Sequence, residues 1–77
     1  MSDEKINFNN RKLLASLGIA EAQYSLGLIY SKGKEIPQDY VEAVKWYRLA
    51  AEQGLAQAQH NLGVMHGKGQ GIPKNYQ

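Results

Sequence analysis

No cysteine occurs among the 77 residues, so neither disulfides nor thiolate metal sites can stiffen the chain. A chain of this length forms one small domain and buries only about 60% of the surface its unfolded form exposes. Stability therefore has to come from packing between neighbouring elements. Proline is limited to Pro37 and Pro73, so long stretches are free to be helical. No apolar run approaches the ~18 residues that mark a membrane-spanning helix, and membrane insertion is not expected. Residues 1–10, MSDEKINFNN, lack the apolar core of a secretory signal. With Met1 as the native start this points to the cytoplasm; an excised segment leaves a secreted or periplasmic origin open. Charge of either sign is also in short supply: nine basic and seven acidic residues leave +2. That is no nucleic-acid footprint, and a nucleic-acid partner is not expected. Lys32, Lys34, Lys68 and Lys74 fall in matching loop regions and read as solvated loop lysines.

Reactive constellations are missing too. His60 and His66 are the only histidines. Their spacing of six puts them on different helix faces, whereas a helical metal pair wants three or four, so no metal is expected. Ser31-Lys32-Gly33-Lys34 matches S-x-x-K, but at a helix end and without the companion elements of the serine enzymes that use it. Gly67-Lys68-Gly69-Gln70-Gly71 follows a helix instead of the strand that a phosphate loop needs, and reads as turn and cap. Neither enzyme activity nor a cofactor is expected. The aromatic set around Trp46 and Tyr47 lacks the basic groove that base stacking needs and reads as core.

What is present is an internal repeat. Residues 18–41 laid on 54–77, an offset of 36, give eleven identities in twenty-four columns. Among them are Gly18/Gly54, Gln23/Gln59, Leu26/Leu62, Gly27/Gly63, Lys32/Lys68, Gly33/Gly69 and Pro37/Pro73. Each unit reads as two helices, A and B. In helix A, Gln23, Leu26, Gly27 and Tyr30 follow the i, i+3, i+4, i+7 spacing of one helical face. A glycine in mid-helix costs about 1 kcal/mol against alanine. Its return at Gly63 suggests a position that needs a missing side chain for close helix contact. Gly33 supplies a left-handed C-terminal cap, Pro37 holds the connector extended, and Asp39 with Glu42 forms an N-cap. In helix B, Ala43, Trp46, Tyr47, Ala50 and Ala51 make the apolar stripe. The short link at Gly54 favours antiparallel packing.

The expected organisation is all-α. Residues 1–10 form a tail, poorly ordered or the start of an eroded helix, and 11–17 a degenerate helix B. Residues 18–53 form a complete unit with helix A at 19–32 and helix B at 39–53. Residues 54–77 hold a partial unit with helix A at 55–67, a connector and the start of another helix B at Asn75.

The run Ala56-x-Ala58-Gln59-x-x-Leu62-Gly63, continuing to Gly69-x-Gly71-Ile72-Pro73, resembles the first half of a Sel1-like repeat. Asp39-Tyr40-x-x-Ala43-x-x-Trp46-Tyr47-x-x-Ala50-Ala51-Glu52-Gln53-Gly54 resembles the second half. Sel1-like repeats are related to tetratricopeptide repeats but carry a longer connector. The resemblance implies a right-handed α-solenoid of antiparallel helix pairs, acting as a scaffold or adaptor that binds a protein or peptide. In related repeats the first helix of each pair lines the concave face. That places Glu21, Tyr24, Leu28, Gln57, His60 and Val64 as candidate partner-binding residues. The alternative role is self-association, as a homo-oligomer or domain-swapped dimer, through the incomplete C-terminal repeat.

Overall fold

The computed structural model describes residues 3–72, with side chains from Phe8 onward. Four helices and no strand are found among these residues: α1 (Asp3–Ser16), α2 (Ala20–Lys32), α3 (Tyr40–Glu52) and α4 (Ala56–Lys68). The arrangement is an α-solenoid fragment in which α2 and α4 are A helices and α1 and α3 are B helices. The first helix runs from Asp3, so helix already occupies most of the 1–10 segment. No glycine or proline interrupts it before Gly18. The expected cap at Asn75 lies outside the described residues. The other three helices differ from the sequence-derived bounds by single residues. In α2 and α3 the outermost residues are caps, whose backbone is not helical.

Local chemistry sets the boundaries. Gly33 and Gly69 end the two A helices in the left-handed region, at φ 69° and φ 70°. A Cβ there would be strained, so glycine recurs. The basic residues Lys32 and Lys68 occupy the last turns, where positive charge offsets the helix dipole. At the start of α3 the Asp39 carboxylate accepts the Glu42 backbone N–H at 3.1 Å, satisfying a donor the helix itself leaves free. The Asp39 N–H in turn donates to the Tyr30 carbonyl at 2.9 Å. This bond fastens the start of α3 to the end of α2.

The helices run antiparallel in chain order. Gln53, closing α3, donates to the Gln23 side chain near the start of α2 at 3.0 Å and to the Gly18 carbonyl at 2.8 Å. One hydrogen bond is made twice, once per unit. The Gln23 amide donates to the Ala15 carbonyl at 3.2 Å, and Gln59 donates to the Ala51 carbonyl at 3.1 Å. Each ties an A helix to the helix B before it. This explains why glutamine returns after 36 residues.

Two core clusters result. Ala15, Ala22, Leu26, Ile29 and Trp46 pack where α1, α2 and α3 meet. Ala43, Val44, Tyr47, Ala50, Ala58 and Met65 join α3 to α4. Trp46 and Tyr47 are both core residues, and Tyr47 is only 2% exposed. Its ring crosses Gly27, where an added Cβ would lie 2.9 Å from the ring Cγ and closer still to its edge. The absent side chain at Gly27 is what lets Tyr47 reach between the A helices. At Gly63 the expectation fails among the described residues, since a Cβ there would meet nothing within 4 Å. No described helix B stands against that face as α3 stands against Gly27.

Candidate partner-binding grooves

Because Tyr47 passes over Gly27, its hydroxyl reaches the seam between α2 and α4. There it lies 3.4 Å from Ser31 Oγ and accepts from Asn61 Nδ2 at 3.4 Å. It forms part of the wall of a groove of about 440 Å³. Leu28 and Ser31 of α2 line one side, and His60, Asn61, Val64, Met65 and Lys68 of α4 the other. Tyr40 and Gln70 complete it. A second groove, of about 280 Å³, lies between α1 and α2 and is lined by Arg11, Ser25, Leu28, Ile29, Lys32, Lys34 and Glu35.

The two grooves are related by the repeat. Adding 36 to Ser25, Leu28, Ile29 and Lys32 yields Asn61, Val64, Met65 and Lys68, all of which line the larger groove. Arg11 and Lys34 carry over in the same way to Tyr47 and Gln70. Leu28 borders both and forms the ridge between them. One groove per A helix is therefore a property of the unit.

Of the six residues expected to meet a partner, Leu28, His60 and Val64 come together in the larger groove. Glu21 and Gln57 are exposed near the starts of α2 and α4 and line neither groove. Tyr24 is half-buried, its ring 5.8 Å from that of Tyr47 at a tilt of 42°. It packs beside that ring and lines neither groove. Sequence reasoning missed the basic lining. Lys32 and Lys68 were visible as an identical pair at the 36-residue offset, but reading them as loop residues separated them from the groove-lining positions of α2 and α4.

Tyr30 closes the end of α2, with Phe8 edge-on at 6.2 Å. Burial, then the nearby carboxylates of Glu42 and Asp39, push its hydroxyl above the usual tyrosine value. Among the described residues no cluster of three or more His, Asp or Glu is placed to hold a metal ion, and no helix is long and apolar enough to cross a membrane.

Comparison with known proteins now bears on this geometry. A family model, the Sel1 repeat, matches residues 20–55 and 56–77. The chain belongs to the Sel1 repeat family. Both matched segments open on an A helix, and their starts are 36 residues apart, in step with the internal offset. A Sel1 repeat protein from Oxalobacter formigenes superposes with a TM-score of 0.87 at 46% identity, over 92% of this chain and 29% of that one. The protective antigen c5321 of uropathogenic Escherichia coli strains, which displays an SLR fold, superposes at 0.81 with 48% identity. That match covers 84% of this chain and 14% of c5321. The chain thus spans less than a third of either relative. Comparison with curated proteins returns no match. Sel1 repeats generally act as protein–protein interaction modules.

Proposed function

We propose that this chain is a non-catalytic scaffold or adaptor segment that receives a protein or peptide along the face formed by α2 and α4. The observation that carries the reading is the recurrence of one groove per Sel1 repeat, with Leu28, His60 and Val64 gathered in the larger. Aliphatic walls with a few polar groups at fixed positions suit a peptide, which gains affinity from side chains set into pockets. The experiment is site-specific photo-cross-linking. A photoreactive residue at position 28 or 60 is expected to form protein adducts, and one at Glu52, exposed at the end of α3, is not. Equal adducts at all three positions would contradict the reading.

Self-association is a second reading, favoured by Leu13 and Leu14 at the end of α1 and Leu17 just after it, which stand 60%, 41% and 70% exposed. Light scattering tests it. A mass above monomer that falls to monomer on Leu14→Glu and Leu17→Glu supports self-association, and a monomer at high concentration removes it.

A further inference from the structure

The charge lining the two grooves is one-sided. Arg11, Lys32 and Lys34 line the smaller, against the single carboxylate of Glu35. Lys68 lines the larger, which has no carboxylate among its described lining. The chain as a whole is nearly balanced, nine basic residues to seven acidic, so this bias belongs to the grooves. The repeat accounts for its spacing, because Lys32 and Lys68 hold the same place in successive units, one per groove. Between them lies the apolar ridge of Leu28, flanked by Ile29 on one side and Val64 and Met65 on the other.

We propose that the two grooves together bind an extended acidic peptide, with one carboxylate-bearing side chain seated in each groove and an apolar residue lying over Leu28. This rests on the reading that the α2/α4 face receives a partner, and adds which partner. Complementary charge guides encounter and sets register more than it deepens affinity, so binding should be salt-sensitive. In the larger groove Asn61 Nδ2 spends one N–H on the buried Tyr47 hydroxyl and keeps the other as an uncharged donor beside Lys68. Together they suit a carboxylate, which accepts several hydrogen bonds at once. A polynucleotide is the poorer fit. The walls are aliphatic, the Tyr47 ring is committed to packing against Gly27 and Tyr24, and the cations are too few to track a phosphate backbone.

The test selects from a random twelve-residue peptide library displayed against the 77-residue chain. Affinity of a selected peptide is then measured by fluorescence anisotropy over a salt series, with labelled oligouridylate as the nucleic-acid probe. The expected consensus has two acidic positions separated by an apolar one. Lys32→Gln and Lys68→Gln should each weaken binding about tenfold, the size of one charge-assisted hydrogen bond, and the pair more than either. The control Lys12→Gln, on exposed surface outside both grooves, should change little. Because Lys32 and Lys68 also sit at helix ends, helicity is checked by circular dichroism. Lys34→Gln, beyond the end of α2, provides a variant free of that concern and should weaken binding in the same direction. A neutral or basic consensus, or equal effects at Lys12 and Lys68, overturns the acidic assignment and leaves the binding face standing. Tighter binding of oligouridylate also overturns it. No enriched peptide at all counts against the binding face itself.

Discussion

The two A helices share a sequence pattern but not an environment. α2 lies between α1 and α3 and buries Ala22, Gln23, Leu26, Gly27 and Ile29, whereas α4 buries only Ala58 and Met65. Gly27 is closed over by the Tyr47 ring, and its equivalent Gly63 faces open space among the described residues. Identical residues at equivalent positions therefore hold different energies. A repeat protein derives its stability from interfaces between units, and a residue matters as much as the interface it meets.

Tyr47 belongs to the interface that creates the difference, so its removal should have the largest effect. Tyr47→Ala is expected to cost about 3–5 kcal/mol in urea unfolding, the range for deleting a buried aromatic ring. That is comparable with the whole stability of so small a domain. Leu26→Ala and Leu62→Ala then compare the two helices directly. Leu26 is fully buried, and its loss should cost about 2–5 kcal/mol, with Leu62→Ala well below it. Equal costs would break the comparison.

The glycine pair gives opposite signs. Gly27→Ala pushes a methyl into the Tyr47 ring and should destabilise by about 1–3 kcal/mol. Gly63→Ala, with no neighbour to strike among the described residues, should stabilise by about 0.5–1 kcal/mol through helix propensity alone. In a background where Tyr47 is already alanine the penalty at Gly27 should vanish, provided the variant remains folded. Smaller again is the glutamine pair. Gln23 is 4% exposed and bonded to both Ala15 and Gln53, so Gln23→Ala should cost about 1–3 kcal/mol. Gln59 is exposed, and its replacement should be close to neutral.

The smallest effect depends on pH. In the folded chain the Tyr30 hydroxyl ionises less readily than the unfolded reference of 10.0, because burial and then Glu42 and Asp39 disfavour its anion. At high pH the unfolded state thus releases this proton first, and stability falls. The contribution of Tyr30 is whole below the unfolded value and is lost as pH climbs from there through the raised folded value. Tyr30→Phe should flatten that part of a pH–stability curve while leaving neutral-pH stability little changed.

Much of the fold was legible because it rests on spacing. Gly33 and Gly69 mark helix ends, Asp39 marks a start, and Trp46 with Tyr47 marks the buried stripe. Each is a local requirement that a single residue type meets. Gly63 shows the limit. Its identity with Gly27 reveals the demand of the repeat, but not whether a ring stands opposite at that turn. The candidate site was half legible. Leu28, His60 and Val64 follow from helical geometry, because residues three and four apart share a face. Arg11 and Lys34 do not follow, since they reach the smaller groove from α1 and from the connector. Only the tertiary arrangement joins them to Lys32.

The claim that a partner lies along α2 and α4 is most directly tested by mapping backbone amide shifts in nitrogen-15 NMR spectra during titration with a bound peptide. The largest changes are expected at Leu28, Ser31, His60 and Val64, with little at Lys45 and Arg48, which line neither groove. Shifts concentrated at Lys45 and Arg48, with Leu28 and Val64 unmoved, would contradict the account.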